Sequence, residues 1–398
     1  MPTTLPEVET TGAAPGSGPF DVDLGRLRRR RTVKWSLYGP DVLAAWVAEM
    51  DFDVAPAVRS ALLDAVERED FGYVEADLTE LTTACATFLS DTTGWEVPAT
   101  RVFPVADVLT GISAAIDVFA PPGSPVVVPT PAYPPFFEVV GLTGRPVLDA
   151  PMVLDRGRWC LDLDRIDAHL AAGARTVLLC SPHNPTGRVF RVDELSALAE
   201  LVERRGARVV ADEVHAPLVA TGVRHVPYAS VAEAAADHTM TITSTSKAWN
   251  LAGLRCAQVI ASNHGDAATW RRLPLFAVPG PTPLGVAAST AAYRDGTDWL
   301  AALRGQLDVN RLALDELVRS ELPGVTWHGA EATFLSWLDC TALGLEDPAR
   351  HFLDHGRVAL SAGASFGAGW EQFVRLNLGT SGELLGRIVA AMARSVTG

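Results

Sequence analysis

Unbroken apolar runs that alternate with amphipathic helical stretches predict an α/β fold: a large domain on a mostly parallel sheet, then a smaller α+β domain. Three observations carry this. The runs at 125–129 (PVVVP), Thr176–Cys180 (TVLLC), 207–211 (ARVVA) and Thr239–Thr243 (TMTIT) lack the polar–apolar alternation of a sheet with one wet face. They suit strands covered on both faces. Between the second and third runs lies 192–205, where Leu195, Leu198, Ala199 and Val202 share one helical face. After about residue 290 the pattern changes to one long helix, 297–322, followed by strand-like pieces at 333–338 and 373–378.

Composition bounds the possibilities. With 398 residues, 48% of them hydrophobic, the chain can bury a large core in two domains, or in one with a smaller appendage. The first 24 residues, opening with MPTTLPEVETTGAAPGSGPF, read as a disordered tail. A net charge of −14 argues against nucleic acid as a partner, because phosphate backbones need a basic face. The basic run Arg26 to Arg31 reads as a solvated or ion-paired segment. Five widely spaced cysteines without a CxxC suit free thiols in a reducing compartment, and no metal site is expected. Neither a signal peptide nor an apolar run long enough to span a bilayer is evident, so a soluble cytoplasmic protein is expected.

Six motifs then stand at the ends of the predicted elements. Ser244-Thr245-Ser246-Lys247 directly follows a strand. A lysine amine desolvated there suits a Schiff base, whereas a lone lysine in a turn is ordinarily a surface charge. Asp212 ends the 207–211 run, where ligands bind in open α/β sheets. It reads either as the anionic partner of a protonated ring nitrogen or as a helix N-cap. Asn184, in Ser181-Pro182-His183-Asn184-Pro185-Thr186-Gly187, sits in a tight turn and can donate to a ring oxygen. Asp107-Val108-Leu109-Thr110-Gly111 opens a helix whose first amides, those of Val108 and Leu109, form an anion site. Tyr133 can stack on an aromatic ring or fill the core. Arg375 interrupts an apolar strand and needs a partner, either a substrate carboxylate or an internal acid.

Each motif is modest alone. Their order along the chain resembles the class I/II aminotransferase superfamily of pyridoxal-5′-phosphate (PLP) enzymes, which have the aspartate-aminotransferase fold (PLP fold type I), over about residues 25–398. The resemblance implies a large PLP-binding domain at 57–290 and a small domain made of 25–56 and 291–398. It implies that Lys247 is the Schiff-base lysine, Asp212 the pyridine-nitrogen partner, Asn184 the ring-oxygen donor and Tyr133 the stacking aromatic. Ser244, Ser246 and Arg255 would join Val108 and Leu109 around the phosphate, and Arg375 would hold the substrate carboxylate. Within the superfamily the chain is most similar to the cystathionine β-lyase and cysteine–sulfur lyase branch. Lys34-Trp35 with Leu43 to Phe52, Phe71-Gly72-Tyr73, Tyr133-Pro134-Pro135-Phe136 and Asp212-Glu213-Val214-His215 carry that likeness. There Tyr73 would reach the phosphate in a neighbouring subunit, giving a homodimer with shared active sites. Ala48 would lie beside the substrate carboxylate, and His215 would replace the tyrosine usual in aminotransferases. Asp107 stands where that branch often has glycine; since a carboxylate would repel a phosphate, its side chain is expected to cap the helix instead.

The resemblance implies α,β-elimination from L-cystathionine or an L-cysteine S-conjugate, yielding a thiol, pyruvate and ammonia. A class I/II aminotransferase acting on an L-amino acid uses the same constellation, and Arg255 is more typical of that group. A PLP-binding regulatory protein without turnover is a third reading, less consistent with an intact Lys247, Asp212 and Arg375 set. Trp35, Trp249 and Trp370 each read equally as linings of the side-chain pocket or as core residues.

Overall fold

In a computed structural model the described residues are 18–274 and 276–396. Seven strands form the larger sheet: β1 (Val102–Val105), β2 (Val126–Thr130), β3 (Val147–Pro151), β4 (Thr176–Cys180), β5 (Arg208–Asp212), β6 (Thr239–Thr243) and β7 (Ala257–Ala261). Their spatial order is β1-β7-β6-β5-β4-β2-β3. The neighbours among β3, β2, β4, β5 and β6 pair in parallel, while β7 runs antiparallel to both β6 and β1.

Every residue of β2, β4, β6 and β7 is buried, which is why these runs do not alternate in polarity. Side chains still alternate in direction along each strand. Val127, Val177, Leu179, Val209 and Ala211 enter one apolar cluster, whereas Val126, Val128, Leu178, Val210 and Ile242 enter another on the opposite face. The predicted strands at 176–180 and 239–243 have those bounds, and those at 125–129 and 207–211 lie one residue further along. The helix Val192–Arg204 buries Leu195, Leu198, Ala199 and Val202, the face expected of it. β1, β3 and β7 were not foreseen: Val102–Val105 is short, and nothing local marks Ala257–Ala261 as a reversed strand.

Helix α1 (Val108–Phe119) starts just beyond β1 and lies close to the sheet. Gly111 permits this approach, because a Cβ there would stand 2.9 Å from Val259 Cγ2 and 3.3 Å from Ile242 Cγ2. The α1 amides therefore open at the same edge as the ends of the parallel strands.

Beyond it, α2 (Thr297–Glu321) packs against the C-terminal helix Gly382–Val396. β8 (Leu335–Asp339) and β9 (Phe373–Asn377) form the centre of an antiparallel four-stranded sheet, flanked by Thr326–Trp327 and Ser361–Ala362. Leu43–Ala44 pairs in parallel with Val358–Ala359, which fixes the early segment to the late one. Of the tail expected over residues 1–24, positions 1–17 lie outside the described residues. From Gly18 onward the chain lies against the folded body, where the Phe20 ring meets Phe52 and Trp299 at 5.2 and 6.0 Å between centroids. In the basic run, Arg26 and Arg30 both meet Asp53.

Gly111→Val should lower stability by about 1–3 kcal/mol through overpacking between α1 and the sheet. A urea-denaturation midpoint equal to wild type would refute this close contact.

Candidate active site

The site is built where strands end. β5 ends on Asp212, which is buried. Its Oδ1 accepts a hydrogen bond from the Val214 amide at 3.0 Å. β6 ends at Thr243, and Ser244 caps the one-turn helix Thr245–Ala248 that carries Lys247. The predicted lysine thus stands on a helical turn just beyond the strand. β4 ends at Cys180 and runs into the turn holding Asn184. Gly187 closes that turn at φ +68°, and a Cβ there would meet Ala330 Cβ at 2.5 Å. α1 opens at Val108 behind Asp107.

One cleft collects these groups. Val108, Leu109, Tyr133, Asn184, Asp212, His215, Ser244, Ser246, Lys247 and Arg255 all line it. A second opening, which shares the Tyr133 side of the cleft, is lined by Arg375 together with Tyr38, Trp46, Ser361 and Phe366. Tyr38, Trp46 and Ser361 were missed in the sequence; the Leu43–Ala44 pairing that brings Trp46 here leaves no local signal.

Burial governs the electrostatics. It pulls the Lys247 amine down to about 8, helped by the nearby Arg375 charge and opposed by Asp212. It pushes the Asp212 carboxyl up to about 7, against the Val214 amide and the Lys247 charge. The same desolvation brings Arg375 down to about 10 and drives His215 well below the usual imidazole range. Among the described residues His215 Nδ1 and Arg375 Nε, both buried, have no hydrogen-bond partner. Sites that hold such costly groups are functional candidates.

Arg375 is held by neutral groups instead of an internal acid. Its Nη1 donates to Asn184 Oδ1 at 3.1 Å, and Nη2 donates to the Trp46 carbonyl at 3.0 Å and Ser361 Oγ at 3.1 Å. The guanidinium lies 5.0 Å from the Phe366 ring centroid. Its charge is thus oriented but not neutralised. Because Asn184 spends its oxygen on Arg375, its amide donor face is the one left for a ligand.

At the helix mouth Asp107 behaves as expected. Oδ1 accepts from the Thr110 amide at 2.8 Å, capping α1, while Oδ2 accepts from Arg255 Nη2 at 2.6 Å. The pairing with Arg255 was not foreseen. Ser244 Oγ donates to the Cys256 carbonyl at 2.7 Å and accepts from the Ser246 amide. Capping by Asp107 occupies Thr110, leaving the Val108 and Leu109 amides at the anion end.

Ala48 also reaches the site, through its carbonyl, which accepts from Lys247 Nζ at 3.2 Å. Tyr73 does not line this chain's cleft; it stands fully exposed at 103% on the rim of a separate groove. Trp249 and Trp370 are corrected as pocket linings. Trp249 is buried, with Nε1 donating to the Gly296 carbonyl, and Trp370 packs edge-on against Trp159 and Trp337. Trp35 is likewise committed elsewhere, to Asp51.

The model of the family described as aminotransferase class I and II matches residues 46–392. The chain belongs to that family. Its fold is aspartate-aminotransferase-like. The cystathionine β-lyase of Corynebacterium glutamicum is 40% identical over 365 residues, covering 91% of this chain and 96% of that protein. A crystal structure from Corynebacterium diphtheriae, described as a candidate PLP-dependent β-cystathionase, is 41% identical. It covers 96% of this chain and all of its own, with a TM-score of 0.92. A PLP-bound C–S lyase from Staphylococcus hominis is 25% identical, covering 89% of each chain, with a TM-score of 0.84.

The donor set suits such a cofactor. An anion site at the α1 amides with Ser244, Ser246 and Arg255 lies at one end, a carboxylate lies on β5, and a lysine amine of lowered pKa stands in the same cleft.

The raised Asp212 pKa has a consequence for stability. Between its ordinary 3.8 and about 7 the folded chain holds a proton that the unfolded chain has lost, so stability falls as pH rises through that window. In cofactor-free protein, Asp212→Asn should match wild type near pH 4 and exceed it by on the order of 2–4 kcal/mol at pH 8. Paired urea titrations at the two pH values check this; a pH-independent difference would contradict it.

Proposed function

We propose that the chain is a PLP-dependent carbon–sulfur β-lyase that cleaves L-cystathionine or an L-cysteine S-conjugate to a thiol, pyruvate and ammonia. The observation that carries this is that the Lys247 amine drawn down to about 8 and the Asp212 carboxyl share one cleft, while the adjoining opening, reached past Tyr133, holds an Arg375 guanidinium that no acid among the described residues neutralises. The 40% identity to a cystathionine β-lyase supports it.

When bound, PLP supplies an aldehyde carbon for the amine and a pyridine ring that accepts electrons. Asp212 holds a proton on the ring nitrogen, since a carboxylate beside a cation is relieved of its burial cost. Asn184 donates its free amide to the ring oxygen, beside His215. Tyr133 flanks the ring. Val108, Leu109, Ser244, Ser246 and Arg255 hold the phosphate, with Tyr73 of a second copy completing the cradle.

Arg375 binds the substrate carboxylate with a guanidinium already oriented by Asn184, Trp46 and Ser361, so little ordering remains to be done. Ala48 contributes backbone beside that carboxylate. Drawn down to about 8, the Lys247 amine is neutral in about a tenth of molecules at pH 7 and about half at pH 8, far more than an ordinary lysine, and in that form it removes the Cα proton. The Cβ–S bond then breaks with its electron pair on sulfur, and Lys247 returns a proton to the departing thiolate. The enamine released hydrolyses in water to pyruvate and ammonia.

Two corollaries belong to this reading. The enzyme works as a homodimer with shared active sites, which accounts for the exposed Phe71 and Tyr73. It acts in the cytoplasm, which suits five unpaired cysteines, four of them buried.

The alternative, aminotransfer, is favoured by one feature, the Arg255 side chain at the phosphate end of the cleft. An assay separates the two. Given an L-cysteine S-conjugate and no keto acid acceptor, the PLP-loaded enzyme should release pyruvate continuously; one half-turnover followed by arrest would instead identify an aminotransferase.

Borohydride reduction of the PLP-loaded protein should place the pyridoxyl label on Lys247, as read by peptide mass spectrometry; a label elsewhere defeats the assignment. Lys247→Ala should lose on the order of a thousandfold or more in turnover. Arg375→Lys should chiefly raise KM, because a point charge cannot grip a carboxylate with two parallel bonds. Unchanged KM would remove Arg375 from substrate binding.

A further inference from the structure

Five consecutive backbone carbonyls, from Trp46 to Met50, each accept a hydrogen bond from a side chain. Arg375 donates to Trp46 O at 3.0 Å, Asn377 to Val47 O at 2.7 Å, and Lys247 to Ala48 O at 3.2 Å. Asn377 donates again to Glu49 O at 2.6 Å, and Asn250 to Met50 O at 2.9 Å. Carbonyls ordinarily pair with backbone or water. Here every carbonyl of an uninterrupted run meets a side chain, with Ser361, Lys34, Arg30 and the Glu49 amide adding bonds to Trp46 O, Glu49 O, Met50 O and Val47 O, and four of the side-chain donors fall into two local pairs. Lys247 and Asn250 come from the turn after β6, while Arg375 and Asn377 come from β9.

Within each pair one member faces the cleft and the other does not. Lys247 lines the cleft and Arg375 the adjoining opening. Asn250 and Asn377 spend their side chains on the strap. Asn250 closes a two-bond ring with Met50, because its Oδ1 also accepts the Met50 amide at 2.9 Å. It does so from a left-handed backbone, φ +60°, which asparagine tolerates better than most side chains. The buried Asn377 has its amide orientation fixed by the Gly379 N–H donating to its Oδ1 at 2.7 Å, so that Nδ2 faces the strap. A buried ion pair, Lys34 with Asp51 at 2.8 Å, anchors the strap's far end, and Lys34 also donates to Glu49 O.

We propose that Asn250 and Asn377 are positioning residues for the reaction. Acting through the peptide run 46–50, they set the Ala48 carbonyl against the Lys247 amine and the Trp46 carbonyl against the Arg375 guanidinium. This rests on the roles given above to Lys247 and Arg375. A lysine amine on four flexible carbons has no preferred direction of its own. The Ala48 oxygen provides one, provided that the strap is held in register. A misplacement of about 1 Å in a reacting group costs on the order of a hundredfold in rate. Asn250, three residues after the amine, thus governs the chemical step. Asn377, two residues after the guanidinium, governs substrate grip.

The test uses the PLP-loaded enzyme with two variants. Asn250→Gly keeps the left-handed backbone and removes the clamp; Asn377→Ser withdraws both amide N–H donors from the strap and leaves only a shorter hydroxyl. Hydrogen–deuterium exchange of peptides spanning 44–52 should accelerate in each. With an L-cysteine S-conjugate, Asn250→Gly should lower kcat about ten- to hundredfold with KM within about threefold, whereas Asn377→Ser should raise KM at least about tenfold. Faster exchange with wild-type kcat and KM would reduce the asparagines to structural residues and overturn the proposal, as would unchanged exchange. Should Asn250→Gly fail to fold, Asn250→Asp retains the acceptor for the Met50 amide and loses only the donor, and the same kcat effect is expected. If Lys247→Ala keeps its turnover, the underlying assignment fails, whatever the asparagine variants do.

Discussion

Desolvation of a lysine amine at the carboxyl end of a parallel sheet is the constraint around which this site is arranged. Lys247 stands on a turn capped by Ser244, beyond a strand with no wet face. Enclosure there favours the neutral amine, and Arg375 pushes the same way. The carboxylate of Asp212 opposes both, yet it too is raised by burial. None of these groups is at ease in its surroundings. Each would be better solvated elsewhere.

The architecture explains how three strands deliver such groups to one place. In a parallel sheet the strand ends lie side by side, so whatever follows β4, β5 and β6 converges without long loops. Asn184, Asp212 and Lys247 are the residues that follow. The α1 helix adds its N-terminal amides because Gly111 lets it sit close upon β6 and β7. Arg375 comes from the second sheet, across the cleft, and is joined to the first by the Asn184 side chain and by the strap from Trp46 to Met50. The Arg375 guanidinium and the Lys247 amine therefore share one scaffold.

The α1 end of the cleft carries a compromise. A carboxylate at position 107 near an anion site is unfavourable by charge alone. Asp107 avoids the conflict by spending one oxygen on the Thr110 amide and the other on Arg255. The ion pair is more than half exposed on the arginine side, so its contribution to stability is small, and its effect is to orient Arg255 at the cleft mouth.

Much of this was legible in the chain. Apolar runs without alternation marked buried strands, because period and polarity report burial directly, and residues at or just past the ends of those runs line the cleft. Lys247, Asp212 and Asn184 were singled out for that reason, and Arg375 because it interrupts an apolar strand. Periodicity carries no information about which distant groups meet. It could not reveal that β7 reverses, that Trp46 supplies a carbonyl to Arg375, that Asp107 pairs with Arg255, or that Asn250 grips Met50 from 200 positions away. Nor could it tell that Trp249 and Trp370 belong to the core. Local pattern determined which elements form and which side chains end them. Closure of the chain decided their partners, because hydrogen bonds and ion pairs depend on distances of a few ångströms that only the packed tertiary structure sets.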